Sequence, residues 1–185
     1  MITLVRHGET DWSRSGRHTG RTDVPLTDAG RRQAGQAGAK LAHHQFELVL
    51  TSPLSRAVET CRLAGMGDGD PCDDLMEWDY GAYEGRTTDA IRAERPGWLL
   101  WRDGTPGGEQ PGDVSTRADR LIAKLREISG DALLFAHGHI LRMLAARWVG
   151  LGPDGGSHLA LDPATISVLG YEREVAVVRL WNEAP

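Results

Sequence analysis

The stretch ITLVRHG, residues 2–8, is an apolar run that ends in a cation, an imidazole and a glycine. Continuous apolar residues over this length predict a buried strand at 2–6. Such strands usually run out into a polar turn, and here Arg6 and His7 take that place. The pattern occurs twice more. FELVLT (46–51) runs into Ser52-Pro53-Leu54-Ser55-Arg56, and DALLFA (131–136) runs into His137-Gly138-His139. Helical patterns separate the three runs, so they predict an α/β domain with a mostly parallel sheet. In such sheets ligands bind beyond the carboxyl ends of the strands. Parallel neighbours would then bring two histidines and two arginines into one crevice.

The rest of the chain fits this frame. Residues 11–27 are polar and glycine-rich and read as a long loop, a type often tied to function. Thr27 is a suitable N-cap for a helix running to residue 44. Leu54, Ala57, Val58, Cys61 and Ala64 form one helical stripe. Residues 65–71 read as loop, 87–95 as a short helix stopped before Pro96, and 104–112 as loop. Val114, Ala118, Leu121, Ile122, Leu125 and Ile128 give the best amphipathic helix. A helix over 139–149, a glycine-rich turn at 152–157 and strands near 165–170 and 175–181 complete the chain. The expected architecture is α/β: a three-layer sandwich with a mixed, mostly parallel sheet of five or six strands and helices on both faces. One domain is expected over residues 1–185.

The 185 residues carry 21 basic and 26 acidic side chains, a net charge of 21 − 26 = −5. That balance argues against a nucleic-acid or membrane-surface partner, since both reward a basic patch. No apolar run reaches membrane-spanning length. Met1 leads straight into the first strand with no basic leader pattern, and only Cys61 and Cys72 are present. A cytoplasmic protein with a core thiol at Cys61 is expected. Homodimers are common in general, but no sequence feature selects an interface.

Nearby cations disfavour protonation of an imidazole and keep it nucleophilic. Arginine's planar fork matches phosphate oxygens in pairs. A neutral His7 beside Arg6 and Arg56, with His137 as a further donor, therefore suits attack on a phosphoryl group. Gly8 lets the backbone approach closely. A departing alkoxide needs a proton, and MEWDYGAYEG offers Glu77, Asp79 and Glu84; spacing does not choose among them. Trp78, Tyr80, Trp98 and Trp101 read as core or pocket wall. His137-x-His139 alone could suggest a metal site, but no HExxH or nearby acidic cluster accompanies it, and Arg6 and Arg56 would repel a cation. No metal or organic cofactor is expected.

LVRHGET resembles the signature of the histidine phosphatase superfamily, the phosphoglycerate-mutase-like proteins. TGRTDVPLTDAGRRQA, TSPLSRAVET, EWDYGAYEG and FAHGHILRML follow in that family's order, so the resemblance spans nearly the whole chain. It implies His7 as the phosphorylated nucleophile, Arg6, Arg56 and His137 around the phosphate, and Glu77 as proton donor. It also implies a substrate pocket along residues 12–20. Ser13, His18, Thr19, Gly20, Arg102 and Gly138 are the expected substrate contacts, with Arg17 and Arg21 nearby. His139 is expected at a helix start or as a donor behind the site.

Within the family the blocks look most like actinobacterial acid phosphatases and the fungal sedoheptulose bisphosphatase. Cofactor-dependent phosphoglycerate mutases are the alternative. They carry an insertion with paired arginines, and asparagines at the sites of Ser13 and His139. This chain lacks both features, which favours hydrolysis of small phosphomonoesters over mutase chemistry.

Overall fold

The computed structural model describes residues 1–185. Strand β1 (Ile2–Arg6) leads through α1 (Asp11–Arg14) to α2 (Asp28–Leu41), β2 (Leu48–Thr51), α3 (Ser55–Leu63) and β3 (Asp70–Pro71). Helices α4 (Thr88–Glu94), α5 (Leu100–Asp103) and α6 (Pro111–Arg126) precede β4 (Ala132–Ala136). Helix α7 (Gly138–Trp148) and the hairpin of β5 (Ile166–Glu172) and β6 (Val175–Glu183) end the chain.

The six strands lie in the order β3-β2-β4-β1-β5-β6. β3, β2, β4 and β1 run parallel, while β5 and β6 are antiparallel at one edge. Successive side chains of a strand point to opposite faces. Leu4 and Leu134 join Leu121, Ile140 and Leu144 on the α6–α7 face. Val5, Leu133 and Phe135 join Ala37, Leu41 and Cys61 on the α2–α3 face. Both faces of β1 and β4 are therefore apolar, as the continuous runs predicted, and the layers number three. Cys61 is fully buried, and burial pushes its thiol up to about 12. No helix is long and apolar enough to cross a membrane.

Several details differ from the sequence pattern. β3 lies in a segment read as loop; it has two residues, one of them proline, too few for any periodicity. The long loop 11–27 contains α1, held by a capping box between Thr10 and Ser13. Thr27 does cap α2, accepting from the Gly30 amide at 3.0 Å, but the helix ends at Leu41, before residue 44. Residues 96–112 fold around α5, with the buried Trp98 indole donating to the Gly104 carbonyl.

The register sets the site. Arg6 pairs with Ala136 and Thr51 with Phe135. The next amides continue the ladder: His7 donates to the Ala136 carbonyl and Ser52 to the Phe135 carbonyl, each at 2.9 Å. His7, Ser52 and His137 thus leave the sheet side by side. A close backbone approach holds the first of these ends. A Cβ on Gly8 would lie 2.4 Å from the Gly30 carbonyl oxygen, and one on Gly30 would lie 2.2 Å from that of Glu9.

Gly30→Ala must push α2 off the loop after β1 and should cost roughly 1–3 kcal/mol. Gly35→Ala in the same helix meets nothing within 4 Å and should instead stabilise by roughly 0.5–1 kcal/mol. Urea midpoints of the two variants check this; equal shifts would contradict it.

Candidate active site

A cavity of about 240 Å³ opens beyond the ends of β1 and β4. His7 lines it and is itself buried. Its Nδ1–H donates to the Gly8 carbonyl at 2.7 Å, which leaves the lone pair on Nε2. Burial first, then the charges of Arg56 and Arg6, hold its pKa well below the ordinary histidine value. Arg6 lines the same cavity, with Nη1 donating to the Leu161 carbonyl. Its Nε is buried and has no acceptor in the protein. Buried donors are almost always paired, so this unpartnered one is an exception in the protein.

Arg56 and His137 stand behind this wall. Of the five N–H groups of Arg56, four have partners: Nε donates to His137 Nδ1 at 3.1 Å, Nη1 to Thr22, and Nη2 to Thr19 and Gly20. One Nη1 hydrogen stays uncommitted. Because Nδ1 of His137 accepts, its Nε2 carries the hydrogen and donates to Ser52 Oγ at 2.7 Å. The His137 and His7 rings are 5.1 Å apart. Burial and the Arg56 charge keep His137 neutral as well.

Of the three carboxylates left open by spacing, only Glu77 lines the cavity. It meets the N-terminus of α7: Oε2 accepts from the His139 amide at 2.9 Å, and Oε1 from Ile140 at 3.0 Å and Trp78 at 2.9 Å. Burial alone would raise this carboxyl. The His139 ring 3.7 Å away and the His139 amide outweigh it and hold the group well below the usual carboxylate range. Asp79 is used by Gly81, and Glu84 accepts from the Gly20 and Thr22 amides. Glu84 thus anchors the loop that carries Gly20 and Thr22.

The expected substrate contacts divide. Ser13, His18, Thr19 and Gly138 line the cavity. Ser13 also closes the Thr10 capping box, and His18 packs on Tyr80 at 4.7 Å, with burial lowering its pKa to about 4. Gly20 does not reach the cavity; its carbonyl and amide serve Arg56 and Glu84. Arg102 is a correction. It is exposed, bonded to Asp103 at 2.8 Å and to the Gly97 carbonyl, and lies outside the cavity. The adjacent Asp103 captures it. Arg21 likewise lies outside, near Asp79 and Met76. The sequence pattern did not mark Arg142, Thr88 or Leu161, all in the wall. For Arg142 a signal existed: it is a charge inside the apolar run ILRMLAA. His139 starts α7, its amide on Glu77 and its Nδ1 hydrogen-bonded with the Tyr80 hydroxyl at 2.7 Å.

No group of three or more His, Cys, Asp or Glu side chains is arranged to hold a metal ion. Both ring nitrogens of His137 already have protein partners, so His137-x-His139 is not a paired ligand set.

The fold that carries this cavity has a known counterpart. The family model of the histidine phosphatase superfamily (branch 1) matches residues 2–184. The chain belongs to that superfamily. This histidine phosphatase is 44% identical to an acid phosphatase of Mycobacterium tuberculosis, over 97% of this chain and 92% of that protein. It is 37% identical to the sedoheptulose 1,7-bisphosphatase of Saccharomyces cerevisiae, over 80% and 67% of the two chains. A solved structure of a Mycobacterium tuberculosis open reading frame superposes with a TM-score of 0.96 at 42% identity, covering 99% of this chain and 97% of that one.

Four histidines also tie stability of the phosphatase to pH. His7, His18, His137 and His139 are all lowered by desolvation in the fold. Unfolded, each takes a proton below about pH 6.5, so the unfolded state binds more protons and stability falls with pH. Urea melts should lose stability between pH 7 and 5, by up to about 1.4 kcal/mol per pH unit for each histidine. His137→Gln should flatten the slope; a flat wild-type profile would contradict the assignment.

Proposed function

We propose that the enzyme hydrolyses small phosphomonoesters by a metal-independent route through a phosphohistidine on His7. The observation that carries this is the pairing of an unprotonated His7 Nε2 with an unpartnered, buried Arg6 Nε at one cavity. Nε2 attacks phosphorus, and the bond from phosphorus to the ester oxygen breaks. Arg6 takes a phosphoryl oxygen. Arg56 offers its remaining Nη1 hydrogen, and His137 exchanges Ser52 for a phosphoryl oxygen as charge spreads over the group. Glu77 gives the departing alcohol its proton and later takes one from the water that cleaves the phosphohistidine.

The cavity, at about 240 Å³, is smaller than drug-sized sites of roughly 300–1,000 Å³, so a small leaving group such as a sugar fits best. An ionised Glu77 must be recharged before it can donate. A phosphomonoester, whose second pKa lies near 6, brings that proton in acid solution. Burial and the charges of Arg56 and Arg6 disfavour protonation of His7 as the pH falls. Turnover of alkyl phosphates should therefore rise from pH 7 toward pH 5, and a fall over that interval would count against the scheme.

Hydrolysis of p-nitrophenyl phosphate should survive EDTA and vanish in His7→Ala. Glu77→Gln should lose roughly 10²–10⁴-fold on alkyl phosphates and far less on p-nitrophenyl phosphate, whose leaving group needs no proton. Activity lost in EDTA, or kept in His7→Ala, would refute the mechanism. Bisphosphoglycerate-dependent isomerisation of phosphoglycerate without hydrolysis would move the assignment to the mutases.

A further inference from the structure

Glu77 is carried by a stretch with no regular structure of its own. Residues 76–80 belong to no helix or strand. No ladder fixes their backbone, yet the Glu77 carboxylate has to end against the amides that open α7. Two charged residues outside the cavity, Arg117 and Glu109, fix the path.

Arg117 is buried in the second turn of α6, on the face that also buries Val114, Ala118 and Leu121. Its Nε donates to Glu109 Oε1 at 2.7 Å and its Nη2 to Oε2 at 2.9 Å, a two-pronged ion pair. Its Nη1 turns to the segment that carries Glu77, donating to the carbonyls of Asp74 at 2.8 Å and Met76 at 3.0 Å. Glu109 holds the same segment beyond Glu77. Its Oε2 accepts from the Asp79 amide at 2.9 Å, and its own amide donates to the Asp79 carbonyl at 2.9 Å. Its carbonyl accepts from the Trp78 indole at 2.9 Å. The backbone is thus tied to one charged unit at the residue before Glu77 and again two residues after it.

A buried ion pair is a poor source of stability, because taking both charges out of water offsets their attraction. Apolar side chains on α6 would cover this face as well. They could not hold two carbonyls and an amide of an irregular segment in fixed places. Helix α6 also shares its core with α7, through Val114, Leu121, Ile140 and Leu144. The segment and the helix end that receives its carboxylate are therefore set by the same pair of helices. A group that transfers a proton tolerates little drift: a displacement of about 1 Å can slow a reaction on the order of a hundredfold.

We propose that Arg117 and Glu109 are positioning residues for proton transfer by Glu77, acting through the backbone of residues 74–79. This rests on Glu77 as the proton donor and adds the pair that aims it.

Arg117→Ala would strand the Glu109 carboxylate, so charge-conserving variants make the test. Arg117→Lys keeps the charge opposite Glu109 and loses the fork. Glu109→Asp keeps the pair and draws the carboxylate back from the Asp79 amide. Circular dichroism melts check that each is folded at the assay temperature. Each is assayed on p-nitrophenyl phosphate and on glycerol 3-phosphate, alone and combined with Glu77→Gln. On glycerol 3-phosphate each single variant should lose roughly 10–100-fold in kcat with KM little changed. On p-nitrophenyl phosphate the loss should stay within about threefold, because that leaving group needs no proton. In the Glu77→Gln background neither should lower glycerol 3-phosphate turnover further, since the group they aim is gone.

Equal losses on both substrates, or a further loss of the same size in the Glu77→Gln background, would reduce the pair to a structural role and overturn the proposal. So would unchanged turnover of glycerol 3-phosphate in both variants. Arg120→Gln removes a bond from the same helix to the Asp74 side chain and should leave both substrates alone; the same selective loss there would also overturn it. A Glu77→Gln enzyme indifferent to the leaving group would defeat the proton-donor reading and the pair's part with it. A selective Glu77→Gln beside unselective Arg117→Lys and Glu109→Asp would defeat the positioning claim alone.

Discussion

Everything at the catalytic end of this molecule hangs from one buried guanidinium. Arg56 is fully buried and has no carboxylate partner. Its hydrogens go to the carbonyls of Thr19, Gly20 and Thr22 and to the ring of His137. It therefore ties α3, the loop after α1 and the end of β4 to one point. Its charge is answered by oriented carbonyl dipoles in place of a counter-ion. A charge held this way keeps its field, and that field falls on His7 and His137.

Two opposite electrostatic devices thus meet across a few ångströms. On one side arginines and burial strip protons from imidazoles. On the other, the amides opening α7 hold Glu77 as an anion despite its burial. The parallel register of β1 and β4 brings the two together, since the residue after each strand enters the same crevice. Fold and chemistry share a cause: strands apolar on both faces must be covered on both sides, and only their ends remain for polar work.

The sequence was legible where its signal was local and repeated. Three apolar runs ending in charged or imidazole residues marked the sheet, its direction and the positions of His7, Arg56 and His137. Helix caps such as Thr27 could be read from a single residue. What could not be read was set by contacts between distant segments. Glu84 finds Gly20 across 64 residues. β3 exists only because β2 offers it an edge. Arg102 and Arg142 look alike as letters. The first is claimed by its neighbour Asp103, and the second is turned into the cavity by a helix face. Among Glu77, Asp79 and Glu84, spacing was silent because all three sit on one irregular segment, and only its path in space separates them.

The buried Nε of Arg6 has a consequence for the end of the catalytic cycle. If it takes a phosphoryl oxygen as proposed, it does not tell an ester from free orthophosphate. Whatever grip it lends to capture, it lends equally to the product. The enzyme's throughput is then coupled to the ambient level of inorganic phosphate, and a site built for tighter seizure would also be one that empties more slowly.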